Sequence, residues 1–153
     1  LLVSRMADLQ LENMKLLTAP DDDVLFSAAE AELFRHAQGR ILLCHLTGPL
    51  SFGAAKDMTR NLVSVGPYEA LILDMANVLT IDFTSSKAIE DIIRDTTDSG
   101  RNVYLVGLGE KAVQALQRLD IPHSAPMTYV FANRLEALQA VLDSFGTTAA
   151  TEL

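Results

Sequence analysis

The sequence has no tryptophan, one cysteine and three histidines. A lone Cys44 excludes an internal disulfide and a cysteine-based zinc site within one chain. His36, His45 and His123 lack metal-ligand spacing. His45 lies between Cys44 and Leu46 in a strand-like apolar run and reads as structural. No metal and no cofactor is expected. Positive charge is also scarce, with twelve Lys and Arg against twenty Asp and Glu for a net charge of -8. That balance argues against nucleic acid, because neutralising phosphates needs clustered cations. Anionic membrane surfaces are disfavoured for the same reason. No apolar run reaches the roughly 18 residues of a membrane span, and no signal peptide is visible. The chain also lacks an initiator methionine. Its start, Leu1-Leu2-Val3-Ser4-Arg5, reads as part of something longer or as a processed product, in the manner of a helix leaving a membrane.

What is present suits one globular domain. The 153 residues suffice for a core, at 49% hydrophobic and 21% charged. Residues 2–17 are helical in pattern, with Leu2, Leu9 and Leu16 at heptad spacing and Met6 and Asn13 at the other seam position. Pro20-Asp21-Asp22-Asp23 breaks that pattern. A second helix is predicted over Ser27 to Ala37, where Ser27 and Glu30 fit a capping box and Gly39 ends the element.

Strands and helices then alternate. Ile41 to Leu46 predicts a strand, and Phe52 to Val65 a helix turning Ala55, Met58, Leu62 and Val65 inward. Ala70 to Leu73 predicts an apolar strand. Thr84 to about Asp98 predicts a helix burying Ile89, Ile92 and Ile93. A strand at Val103 to Val106, a helix at Glu110 to Leu119, a short strand at Tyr129 to Phe131 and a helix at Arg134 to Phe145 follow. The tail from Gly146 is small and polar and is expected to be disordered. Apolar strands alternating with amphipathic helices predict an α/β fold, a sheet covered by helices.

The most informative stretch runs from Leu71 to Ile93. An apolar run ends in Asp74, a spacer follows, Ile81-Asp82 closes a second apolar pair, and Phe83-Thr84-Ser85-Ser86 open a helix. The pattern places a small hydroxyl at a helix N-terminus beside two carboxylates, which suits a switch or docking surface better than a catalytic pocket. Thr84, Ser85, Asp74 and Asp82 are therefore the candidate regulatory or docking residues. A phosphate on Thr84 would gain from the helix dipole and be repelled by Asp74 and Asp82. No catalytic residue is expected, because no nucleophile with a histidine partner accompanies the aspartates. Gly107-Leu108-Gly109-Glu110-Lys111-Ala112 superficially fits a dinucleotide fingerprint. It follows a late strand, and no acidic residue closes the next one, so it reads as a plain strand-to-helix turn. Gly48-Pro49 reads as another tight turn, since Pro49 cannot continue a central ladder.

Two segments together carry a family resemblance. Gly48-Pro49-Leu50-Ser51-Phe52-Gly53-Ala54-Ala55 is similar to the Gly-Pro-Leu-aromatic-Phe-Gly/Ala-Ala signature of SulP-type anion transporters. Leu71 to Thr84 matches the strand-Asp, spacer, Ile-Asp-x-Ser/Thr pattern of STAS domains. Residues 41–143 thus resemble the cytoplasmic C-terminal STAS domain of such a transporter. The antagonist branch has Asp-Ser-Ser/Thr-Gly at the helix start; here Phe83 replaces the first Ser and Ser85 the Gly, while Thr84 matches the phosphorylated serine. The short Gly66-Pro67 connection lacks the long insertion of animal members, which implies a bacterial-type protein.

The resemblance implies a STAS-like central mixed β-sheet covered by α-helices. It divides the chain into a connecting helix from a preceding membrane domain (1–20), a STAS domain (21–145) and a disordered tail (146–153). It further implies a non-catalytic regulatory and dimerising role in a secondary transporter of sulfate, bicarbonate or a dicarboxylate. The partners would be the membrane domain of the same chain and a second copy, with no direct small-molecule substrate. The location would be the cytoplasmic face of the bacterial inner membrane. The alternative is a free-standing anti-sigma factor antagonist.

Overall fold

The computed structural model describes the backbone of residues 9–11 and 13–152. Six strands form one sheet in chain order: β1 (Leu9–Leu11), β2 (Met14–Leu17), β3 (Ile41–Leu50), β4 (Ala70–Ile81), β5 (Asn102–Val106) and β6 (Thr128–Phe131). The β1–β2 and β2–β3 pairs are antiparallel and the remaining three are parallel, so the sheet is mixed. Five helices lie among the described residues: α1 (Ala28–His36), α2 (Phe52–Ser64), α3 (Phe83–Asp98), α4 (Glu110–Gln117) and α5 (Arg134–Glu152).

The parallel strands need crossover connections, and α2, α3 and α4 supply them on one face. Met58 and Leu62 of α2, Ile89, Ile92 and Ile93 of α3, and Ala112 and Leu116 of α4 pack there against Leu42, Cys44, Leu71, Leu73, Met75, Val103 and Leu105. On the other face, Phe34 of α1 and Ala137, Leu138 and Val141 of α5 meet Leu17, Ile41, Leu43, Ala70, Ile72, Tyr104 and Val106. Strand alternation divides β4 between the faces: Leu71, Leu73 and Met75 point to the α2–α4 side, and Ala70, Ile72 and Asp74 to the α1/α5 side. The capping box of α1 forms as expected, with Ser27 Oγ accepting from the Glu30 amide and Glu30 Oε1 from the Ser27 amide at 2.8 Å.

Several sequence expectations are corrected. The heptad pattern over residues 2–17 does not give a helix where the chain is described; β1 and β2 pair antiparallel, with Leu9 opposite Leu16. Leu2 and Met6 lie outside the described residues. Asn13, at φ 62°, makes the left-handed turn. β2 is then sandwiched between two strands and buried along its whole length, which explains an apolar run that mimicked a helix face. The boundary at residue 21 therefore falls after two strands of the same sheet.

β4 does not stop at Leu73 but continues to Ile81 beside a longer β3. Pro49 lies inside β3, at a register shift between Gly48 and Leu50, so the ladder bulges around the missing N–H. At the other end of the chain, α5 runs on to Glu152, past the point where the tail was expected. Gly107, at φ +69°, lets β5 turn against β4: a Cβ there would stand 2.7 Å from that of Ala76. Close backbone approach thus explains this glycine without a nucleotide.

Candidate functional site

The four candidate residues divide between two places. Asp82 is the N-cap of α3, its Oδ1 accepting the Ser85 amide at 2.7 Å. That N–H holds its carboxyl below the usual range. Thr84 is therefore not the cap; it sits in the first turn with its side chain exposed. Ser85 is fully buried, and Ser86 Oγ donates to the Phe83 carbonyl at 2.7 Å. Of the three hydroxyls, Thr84 alone is open to solvent, beside Phe83 at 57% exposed.

Thr84 borders an open groove of about 520 Å³ between α2 and α3, with Phe52, Lys56, Arg60, Lys87, Ala88 and Asp91. Phe52 and Phe83 begin their helices just after the paired strand residues Leu50 and Ile81, which brings the two helix starts together. Among the described residues, the cations of this groove make contacts at or near the surface: Lys87 to Glu90 at 3.3 Å, Arg60 to Asp57 at 3.6 Å, and Lys56 over the Phe52 ring. Exposed pairs of this kind are worth little, so these cations remain available to an anion.

Asp74 belongs elsewhere. By strand parity it faces α1 and α5, the side of the sheet away from Thr84. It is 2% exposed, and its Oδ2 accepts from both His45 Nδ1 at 2.8 Å and Arg134 Nη1 at 3.1 Å. Oδ1 accepts the Ala76 amide. Burial pushes the Asp74 carboxyl up, but the His45 hydrogen bond, the Ala76 N–H and Arg134 outweigh it, and the net shift is downward. Arg134 also donates from Nε to Glu30 Oε2 at 3.0 Å, donates from Nη2 to the Leu25 carbonyl, and lies over the Phe26 ring. Glu30 is likewise held below its usual range: burial opposes this, and Arg134 and the Ser27 amide prevail.

The expected repulsion of a Thr84 phosphate by two carboxylates is thus corrected. Asp74 is on the wrong face, while Lys56, Arg60 and Lys87 share the groove. The sequence places Glu30 in a capping box and Arg134 at a helix start, but the pairing of Arg134 with Glu30 and with Asp74 was missed. One signal was available: a cation as the first residue of a helix opposes the macrodipole, which marks Arg134 as held by something outside its own helix. Its partners lie 60 and 104 residues away in the chain, so spacing alone does not identify them.

Among the described residues no group of three or more His, Cys, Asp or Glu is placed to hold a metal ion, and no helix is long and apolar enough to cross a membrane. Cys44 is buried beside Met58, and burial pushes its thiol well up.

The STAS domain model matches residues 35–136. The chain is 32% identical over 146 residues to a bicarbonate transporter, BicA, of Synechocystis, covering 95% of this chain and 26% of that protein. It therefore spans about a quarter of that relative's length. Among solved structures, the STAS domain of a SulP transporter from Vibrio cholerae superposes with a TM-score of 0.54 at 27% identity, over 66% of this chain and 80% of that one. A putative anti-sigma factor antagonist from Thermotoga maritima gives 0.58 at 19% identity, over 67% and 87%, a likeness of fold alone. With the mixed sheet, the hydroxyl-bearing start of α3 and the family match over residues 35–136, the chain belongs to the STAS domain family and is related to the STAS domains of SulP anion transporters.

Proposed function

We propose that this chain is the non-catalytic regulatory domain of a SulP-family secondary anion transporter. It would act on the cytoplasmic face of a bacterial inner membrane, with the transporting membrane domain in the same polypeptide. The observation that carries this reading is the 32% identity across nearly the whole chain to a transporter four times its length. Among sulfate, bicarbonate and dicarboxylates, the relative's name favours bicarbonate. The docking surface would be the start of α3, where Thr84 and Phe83 stand exposed above the α2/α3 groove. A phosphate on Thr84 would gain the helix N-terminus and three nearby cations against Asp82 and Asp91. Self-association into a homodimer belongs to the same reading.

The test is bicarbonate uptake by the full-length transporter carrying Thr84→Glu at matched expression. Reduced flux with an intact fold is expected; wild-type flux would remove Thr84 from the docking surface. The second reading, an anti-sigma factor antagonist, rests on the likeness of fold to the Thermotoga protein. It requires a free-standing chain, so a gene encoding only this domain would favour it, and a continuous reading frame with upstream membrane spans would end it.

A further inference from the structure

Residues 20–26 form a strap that links β2 to α1 over the end of the sheet, and its fastenings are unusual. Asp21 and Asp23 reach Lys15 of β2 at 3.2 and 3.1 Å. The Leu25 carbonyl and the Phe26 ring are held by Arg134 of α5. Between them Val24 inserts into the apolar cluster of Phe34 and Ile41, while Leu25 stands 90% exposed. Beside the strap is a cavity of about 470 Å³ of mixed lining, with His45, Asp74 and Asn77 next to Val24 and Val106.

The inner anchor of this arrangement is a row across the sheet. Lys15, His45 and Asp74 are successive register partners on β2, β3 and β4. Asp74 has no hydrogen bond to the strap. It fixes Arg134, and Arg134 holds the strap. Apart from Val24 and the Phe26 ring, which packs on Phe34, the fastenings are charged contacts, and those that share Arg134 are lost together when it moves.

We propose that the strap is a releasable latch whose bolt is Arg134 and whose keeper is the buried Asp74. Its opening is a local event, separate from unfolding of the α2–α4 face. Opening uncovers the His45–Asp74 pair and loosens the paired strands β1 and β2 from α1. Whatever precedes β1 in the chain is thereby coupled to a carboxylate in the centre of the sheet.

Hydrogen exchange on this 153-residue chain tests the latch. The reporters are the Asp23 and Val24 amides, which the Asp21 carboxylate protects. A substitution accelerates them only if the interaction it removes is also broken in the open state. Arg134→Lys is expected to raise their exchange at least tenfold, and Asp74→Asn to do the same without touching the strap. Ile92→Val, which weakens α3, should speed exchange in α3 and leave the strap rates unchanged. Strap rates unmoved by Arg134→Lys or by Asp74→Asn overturn the latch. So does an equal acceleration by Ile92→Val, which would mean that the strap opens only when the whole domain unfolds.

Discussion

The two faces of the sheet solve different problems. The α2–α4 face is held by apolar packing of Met58, Ile89, Ile92, Ile93 and Leu116, and it keeps its charged groups at the rim, where Asp82, Lys56 and Lys87 meet solvent. The α1/α5 face has an apolar cluster too, but at the end of the sheet it buries a charged network joining β2, β3, β4, α1, the strap and α5. A rim charge can be exchanged or modified with little effect on the fold, because water already compensates it. A buried charge cannot, because removing one partner leaves the other desolvated. The first face is therefore suited to receiving partners, and the second to fixing how parts of the domain sit on one another.

That contrast is broken most severely by placing a charge on the apolar side. Ile92→Asp buries an unpaired carboxylate under α3 and is expected to cost on the order of 4 kcal/mol. Thermal melts followed by circular dichroism would read the loss; an unchanged midpoint would mean the α3 face is not core.

Next comes the charged side. Asp74→Asn removes the carboxylate from His45 and leaves Arg134 with the Glu30 carboxylate, and is expected to cost about 3 kcal/mol. The same substitution sharpens a pH prediction. Asp74 and Glu30 are held below the ordinary carboxylate range when folded. Their contribution is present above the unfolded value near 4 and is lost as pH falls through the folded values. Denaturant midpoints should fall as pH drops below about 4, and Asp74→Asn should make that acid limb shallower. An identical acid limb in both proteins would assign acid sensitivity to other carboxylates.

The smallest expected effects separate the cap from the hydroxyl beside it. Asp82→Ala should cost about 1 kcal/mol by removing the acceptor of the Ser85 amide. Thr84→Val should change stability by less than about 0.5 kcal/mol, as expected for an exposed first-turn side chain. Equal losses in urea titrations would restore Thr84 as a capping residue.

These residues also show what a sequence reveals and what it hides. The crossover helices were legible because each carries its own period, with Ile89, Ile92 and Ile93 facing one way whatever surrounds them, and the parallel strands because each is an apolar run between turn residues. The N-terminal segment misled for the converse reason. Leu2, Leu9 and Leu16 fit a heptad, but Met14, Lys15, Leu16 and Leu17 lie between two strands and are buried on both faces, so they show no alternation. The motif at Asp82 and Thr84 was visible as a string, whereas its split from Asp74 was not. Two aspartates eight residues apart look like neighbours until strand parity sends one through the sheet. Arg134 and Glu30 meet only through the tertiary fold, and no local rule joins residues 104 apart.

The strand order has a consequence for how the molecule is made. Because each strand lies beside its predecessor in the chain, synthesis from the N-terminus can add β3, β4, β5 and β6 to a growing edge in turn, each parallel pairing waiting on its own crossover helix. Only α5 breaks that progression, returning from the last strand to cover the face made first. Asp74 is translated 60 residues before Arg134. Until the final helix emerges, the central strand waits with its carboxylate uncovered, and arrival of the C-terminal segment is the event that completes the domain.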